Sequence, residues 1–301
     1  MLEKNQFVRS HGLGNDYLVM DPKVLSFSLT PANIIRICDR NKGVGSDGIL
    51  ALEESKSAAA RVRIFNPDGS EAEKSGNGLR IFCKFLFEHG YTEKTLFQVE
   101  TAGGTVRAQL HLVLGKAASV TVDMGRAVFT AKDIPVNIPD AASEVIDRLI
   151  PPVKPGVEVR INCVSMGNPH CVVFTDDLEK AESLAREIGP LLETHPLFPN
   201  RTNVQFAVVK NRGEVGIRIW ERGAGYTLAS GSSSCAVAAV CVKTGRADPD
   251  LTLHMPGGDL FLKVGPDFEM TMRGPVEEIC RGTVTGELLE FLEKSRDSRQ
   301  P

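Results

Sequence analysis

Phe65-Asn-Pro-Asp-Gly-Ser-Glu-Ala-Glu-Lys-Ser-Gly-Asn-Gly-Leu79 is answered half a chain later by Trp220-Glu-Arg-Gly-Ala-Gly-Tyr-Thr-Leu-Ala-Ser-Gly-Ser-Ser-Ser-Cys235. Each stretch passes through a glycine-rich turn and a serine, Ser75 or Ser230, into a segment with helical patterning. Asn77–His89 carries Leu79, Phe82, Phe85 and Leu86 at i, i+3, i+4 spacing and stops at Gly90, which predicts an amphipathic helix. Ser232–Thr244 is rich in Ala and Val and stops at Gly245, so it reads as a helix buried on most sides. Serine is a favoured N-cap. A helix start also offers free N–H groups and the positive end of a dipole, which suits an anion.

The echo extends upstream. His11-Gly-Leu-Gly-Asn-Asp16 is answered by Met166-Gly-Asn-Pro-His170, each entering an apolar strand. Asn15 and Asn168 lie 153 positions apart, and Ser75 and Ser230 lie 155 apart. Chance similarity of Gly/Asn turns would explain one such pair; two in register indicate an internal duplication, with two similar domains facing each other across a cleft. A chain of 301 residues suits two domains. The second repeat reaches well past residue 250, so the C-terminal strands are expected to return and complete the first domain.

Strand-forming runs occur at Val106–Leu114, Ser119–Asp123, Asn162–Val164, Cys171–Phe174, Val204–Val209, Val215–Trp220, Leu251–Met255 and Leu260–Val264. Further helices are expected at Pro31–Arg40, Ala142–Leu149 and Asp177–Leu192, and Ile150–Gly156 is the one proline-dense candidate linker. A composition 42% hydrophobic with net charge −3 is that of an ordinary globular protein without a polyanion partner. No basic or aromatic patch suggests nucleic acid, no apolar run suggests a membrane, and MLEKNQFVRSHG lacks a signal-peptide core, so a cytoplasmic location is expected. Seven scattered cysteines without a C-x-x-C pair read as buried apolar side chains rather than a zinc or redox site.

Two facing helix starts, each with a small side chain bearing a transferable proton, could remove a proton from one face of a carbon and return one to the other. The residues around them carry a resemblance. HGLGND at 11–16, DRNKGVGSDG at 39–48, NPDGSEAEKSGNG at 66–78, VDMG at 122–125, MGNPH at 166–170, RTNVQF at 201–206, WERGAGYTLASG at 220–231 and MPGG at 255–258 together resemble the diaminopimelate epimerase family over nearly the full length. That resemblance implies an α/β fold of the α+β kind, with two pseudo-symmetric domains of mixed, barrel-like sheet around a central helix. Residues 1–125 plus about 275–301 would form the first domain and about 126–274 the second, with the active-site cleft between them. It implies inversion at the α-carbon of LL- or meso-diaminopimelate in lysine biosynthesis, with no metal, pyridoxal phosphate or other cofactor, and a homodimer.

Carried over residue by residue, the resemblance makes Asn15, Asn66, Asn168 and Asn203 hydrogen-bonding partners of the substrate. It gives Glu221 and Arg222 the distal amino and carboxylate ends, and the backbone of Gly76, Asn77, Gly231 and Ser232 the reacting carboxylate. His170 and Glu221 would stand near the two acid–base positions and set their protonation. One arginine and one acid among neutral amides is also what a small zwitterionic dicarboxylate asks for. Taken alone, His11 shapes its turn, and Asp39, Arg40 and Asp47 form either an ion pair or a cleft wall.

The departure falls on the catalytic pair, which in the family is two cysteines and here is Ser75 and Ser230. A thiol near pKa ~8.5 becomes a thiolate readily at a helix start, whereas a serine hydroxyl needs an adjacent base. Cys83 and Cys235 lie eight and five positions further along and read as packing residues. Tyr226 stands where the family has glutamate, and Ser232-Ser-Ser-Cys235 replaces Thr-Gly-Ala-Cys. Those extra changes favour a natural serine-bearing branch over a two-site replacement. Weak or absent two-thiol activity is therefore expected. A thiol-independent isomerase using Glu221 or His170 as a single base is the alternative, and a non-catalytic binder of the same amino-acid dicarboxylate a third.

Overall fold

The computed structural model describes residues 1–297. The chain divides into two compact units, one of Met1–Val122 joined by the chain from Gly274 onward, the other of Asp123–Arg273.

In the first unit β1 (Gln6–Gly12) and β2 (Asn15–Met20) form an antiparallel hairpin. After α1 (Pro31–Cys38), β3 (Ile49–Glu53) pairs parallel to β2, and β4 (Ala60–Phe65) pairs antiparallel to β3 and to the short β5 (Glu71–Ala72). Then α2 (Gly76–Glu88) leads to β6 (Leu96–Thr101), parallel to β4, followed by antiparallel β7 (Gly104–Val113) and β8 (Lys116–Arg126).

The second unit repeats this pattern. β9 (Arg148–Lys154) pairs with β10 (Val157–Ser165), and β10 pairs antiparallel with β11 (Pro169–Phe174). After α3 (Leu178–Glu187) and α4 (Gly189–Glu193), β12 (Asn203–Asn211) runs parallel to β11. β13 (Glu214–Glu221) and the short β14 (Gly225–Thr227) are antiparallel to what precedes them. Beyond α5 (Gly231–Lys243), β15 (Asp250–Met255) pairs parallel to β13, and β16 (Gly258–Val264) and β17 (Glu269–Pro275) follow antiparallel. The chain then returns to the first unit, where β18 (Glu277–Thr283) pairs with β1 and α6 (Gly286–Asp297) lies beside α1.

Both central helices are enveloped by their own strands: α2 packs on β1, β2 and β7, and α5 on β10, β11, β12, β15 and β16. Burial of Leu79, Phe82, Phe85 and Leu86 on α2 is worth roughly 2 kcal/mol per side chain. On α5 the run from Ser233 to Cys241 is buried throughout, so that helix has no solvent face to make polar. Among the described residues, no helix is long and apolar enough to cross a membrane.

Three local expectations are corrected. Ala142–Leu149 is not helical: Glu144 bridges to Thr130, Asp147 takes a φ of 48°, and β9 begins at Arg148. Val145 is anchored as a single core side chain, and the Asp147 N–H donates to Asn162 Oδ1 at 2.9 Å, so tertiary partners hold this segment extended. Ile150–Gly156 is not a linker but one arm of the β9–β10 hairpin, where Pro151 and Pro152 are tolerated because β9 is an outer strand with a register irregularity. Asp177–Leu192 breaks into α3 and α4 at Ile188, just before Pro190, whose ring removes a helix donor.

Candidate active site

Ser75 and Ser230 hold almost the same backbone, with φ/ψ of −140°/120° and −149°/126°, each capping a thirteen-residue helix. Each serine holds the N-cap position, but only the Ser75 hydroxyl accepts from a helix N–H.

In the first unit the Ser75 Oγ accepts from the Gly78 N–H at 3.1 Å and lies 3.3 Å from the Tyr17 hydroxyl. A Cβ on Gly78 would stand 3.2 Å from that Oγ and 3.0 Å from Leu50, so glycine keeps the third helical position clear for the serine. Asn77 Nδ2 donates to Asn15 Oδ1 at 3.2 Å, and Asn15 Nδ2 donates to Asp47 at 3.0 Å. Fully buried Arg80 donates to Asn77 Oδ1 at 2.9 Å. Asn66 is tied into its own turn through Ser70 Oγ at 2.9 Å. Arg40 bridges Asp16 and Asp47 at 2.7 Å each, while Asp39 caps the Asn41 and Lys42 N–H groups. Burial pushes the Asp16 carboxyl up, but the Arg40 and Arg9 guanidiniums together bring it below its usual range. His11 Nδ1 accepts from Gly14 N at 3.3 Å and so shapes the β1–β2 turn.

The second unit surrounds its serine differently. Ser230 makes no side-chain cap to its helix; Ser234 Oγ instead donates to the Ser230 carbonyl at 2.8 Å. Glu221 stands beside Ser230: burial raises its carboxyl, and the hydroxyls of Ser230 and Thr227 pull the other way. Gly231 is buried and Ser232 half-buried at the helix start. His170 is fully buried, with Nε2 2.9 Å from Asn168 Oδ1 and Nδ1 3.1 Å from Gln205 Nε2. An amide NH₂ can only donate, so Nδ1 accepts and Nε2 carries the proton. Burial, helped by nearby Arg222, lowers the imidazole from its ordinary 6.5 to about 3. His170 is thus held neutral with both nitrogens engaged.

Asn203 is likewise turned to the backbone, donating to Pro169 O at 2.9 Å and accepting from Arg222 N at 3.0 Å. Arg222 Nη1 donates to Asn200 O at 3.0 Å. These contacts set the turn carrying Glu221.

The diaminopimelate epimerase family model matches residues 7–130 and 162–279. Diaminopimelate epimerase 2 of Nostoc sp. is 46% identical over 285 residues, covering 94% of this chain and 96% of that protein. The diaminopimelate epimerase of Moorella thermoacetica is 42% identical, covering 92% and 98%. The chain belongs to the diaminopimelate epimerase family. Solved structures share the fold at low identity: a hydroxyproline epimerase from Agrobacterium vitis (TM-score 0.69, 19% identical, 93% and 92% covered) and a phenazine biosynthesis PhzF-family protein from Bacillus anthracis (TM-score 0.63, 16% identical, 94% and 100% covered).

Four residues of this family member were not singled out from the sequence: Tyr17, Arg80, Glu193 and Gln205. Buried Glu193 accepts from Trp220 Nε1 at 2.7 Å and Gly223 N at 3.0 Å, and pairs with Arg201 at 3.1 Å, pinning the turn after β13. Gln205 bridges His170 to Ser233 Oγ at 3.0 Å; a lone amide within the apolar run Val204–Val209 was the signal for it. Tyr226 reaches away to Glu182, with Arg186 over its ring at 3.9 Å. Cys83 and Cys235 are buried inside their helices, and burial pushes the Cys83 thiol upward. Among the described residues no cluster of His, Cys, Asp or Glu could hold a metal.

Proposed function

We propose that this chain binds diaminopimelate and acts at its α-carbon without a cofactor, as expected of an enzyme of lysine biosynthesis, with the two-thiol route weak or absent because Ser75 and Ser230 occupy the acid–base positions. The observation carrying this reading is the pair of N-cap serines of nearly equal backbone geometry within a family match over residues 7–130 and 162–279. Backbone N–H groups at Gly76, Asn77, Gly231 and Ser232 suit a carboxylate and the enolate-like charge that forms when the α-proton leaves. Asn15, Asn66 and Asn168 supply amide contacts, and Arg222 a guanidinium for the distal carboxylate.

Glu221 beside Ser230 supplies the base a serine requires. As Ser230 Oγ takes the α-proton, its own hydrogen passes to the Glu221 carboxylate. The Cα–H and Ser O–H bonds break, a new Ser O–H and a carboxyl O–H form, and the electron pair left on carbon delocalises into the substrate carboxylate. Inversion also needs a second proton donor, for which Ser75 is the equivalent hydroxyl. The same Glu221 environment favours a second reading, a thiol-independent isomerase using Glu221 as its one base on another small amino-acid anion.

Solvent deuterium entering the α-carbon of LL-diaminopimelate, followed by mass spectrometry, tests both. Slow exchange is expected for the native chain, rising about 100-fold or more in Ser75→Cys plus Ser230→Cys. A double variant that binds diaminopimelate yet stays inert would place the lost chemistry in the Tyr226 and Ser232–Ser234 changes. One that does not bind removes diaminopimelate as the ligand.

A further inference from the structure

We propose that Tyr17 is a positioning residue for Ser75, a role resting on the reading that Ser75 handles a proton. Its phenol lies 3.3 Å from Ser75 Oγ, which also accepts from the Gly78 N–H at 3.1 Å; either hydroxyl can donate in the first contact, and the proposed role takes the phenol as the donor. A serine hydroxyl has one hydrogen and two lone pairs. With both lone pairs filled, Ser75 can offer only its hydrogen, so it faces the ligand as a proton donor. Donation from the phenol also stabilises the oxygen's charge as that proton leaves.

The packing around Tyr17 is built for this placement. The residue is buried, only 6% exposed, so the ring is held in place by its neighbours. A Cβ on Gly48 would lie 2.7 Å from Tyr17 Cε1 and 2.3 Å from the Phe65 carbonyl, so the ring occupies space that only a glycine leaves open. The repeat supplies a control. His170 follows Asn168 by two positions, as Tyr17 follows Asn15, but its ring is bonded to Asn168 and Gln205 and its serine stands beside Glu221 instead. The two serines are therefore polarised oppositely, Ser75 as a donor and Ser230 as a hydroxyl backed by a base.

The test uses the full chain with LL- and meso-diaminopimelate in deuterated water, comparing Tyr17→Phe in the native background and in Ser75→Cys. The expected result is a fall of about tenfold or more in kcat for exchange, with KM unchanged, and no fall in the Ser75→Cys background, where a thiol carries its own acidity. An equal fall in both backgrounds, or a change confined to KM, overturns the proposal. A second readout does not need turnover: in protein carrying 13Cζ-tyrosine, the Tyr17 resonance, assigned by its loss in Tyr17→Phe, is expected to shift in Ser75→Ala. If the native chain exchanges no deuterium with diaminopimelate, the substrate reading fails and this shift alone decides. A shift supports the Tyr17–Ser75 pairing, and an unmoved resonance overturns it.

Discussion

The two units share one strand order, one pair of helix insertions and one serine cap, yet surround that serine with different chemistry. In the first, Ser75 is closed in by a glycine N–H and a phenol; in the second, Ser230 is left uncapped beside a carboxylate. The difference arises at equivalent positions. With the 155-residue offset, Asn66 corresponds to Glu221, Gly78 to Ser233 and Arg80 to Cys235. A duplicated backbone thus keeps its helix starts while its side chains diverge, because main-chain donors come from geometry and acid–base character from individual residues.

The comparison breaks most visibly in acid. His170 has its pKa lowered to about 3 in the fold, whereas its counterpart in the other unit is the phenol Tyr17. A depressed pKa contributes stability that is present above the unfolded value near 6.5 and lost as pH falls towards 3. On the order of 5 kcal/mol is lost across that window. Urea titrations at stepped pH should show this limb in the native chain and a flattened one in His170→Asn; unchanged slopes would mean that the imidazole is not held neutral.

A smaller effect is expected inside the helices. Arg80→Ala removes a fully buried guanidinium and leaves Asn77 Oδ1 without that donor, at a cost of about 3 kcal/mol in chemical denaturation. At the equivalent point of α5, Cys235→Ala trims one small buried group and should cost only about 1 kcal/mol. Equal losses would show that the two helices are held alike, contrary to their different polar content.

Much of the fold was legible in the sequence because its signals are local. Apolar spacing in Asn77–His89, the small-residue run of Ser232–Thr244 and the glycines that end them place α2 and α5 to within a residue. The Ala142–Leu149 and Ile150–Gly156 segments were misread because their conformation is imposed from outside: Asn162 holds the Asp147 turn, and β10 draws a proline-containing stretch into a hairpin. Asn15 links Asn77 to Asp47, and Ser75 lies against Tyr17, contacts between residues far apart in the chain. His170 bonds to Asn168, and Asn203 to the Pro169 carbonyl.

By itself the sequence determined the family, the repeated landmarks and the hydroxyls at positions 75 and 230, since each is a matter of residue identity and spacing. Only the tertiary structure decided what those hydroxyls can do. A serine's acidity depends on which groups stand within hydrogen-bonding distance, and Tyr17, 58 positions from Ser75 in the chain, reaches it only once the strands and helix have packed.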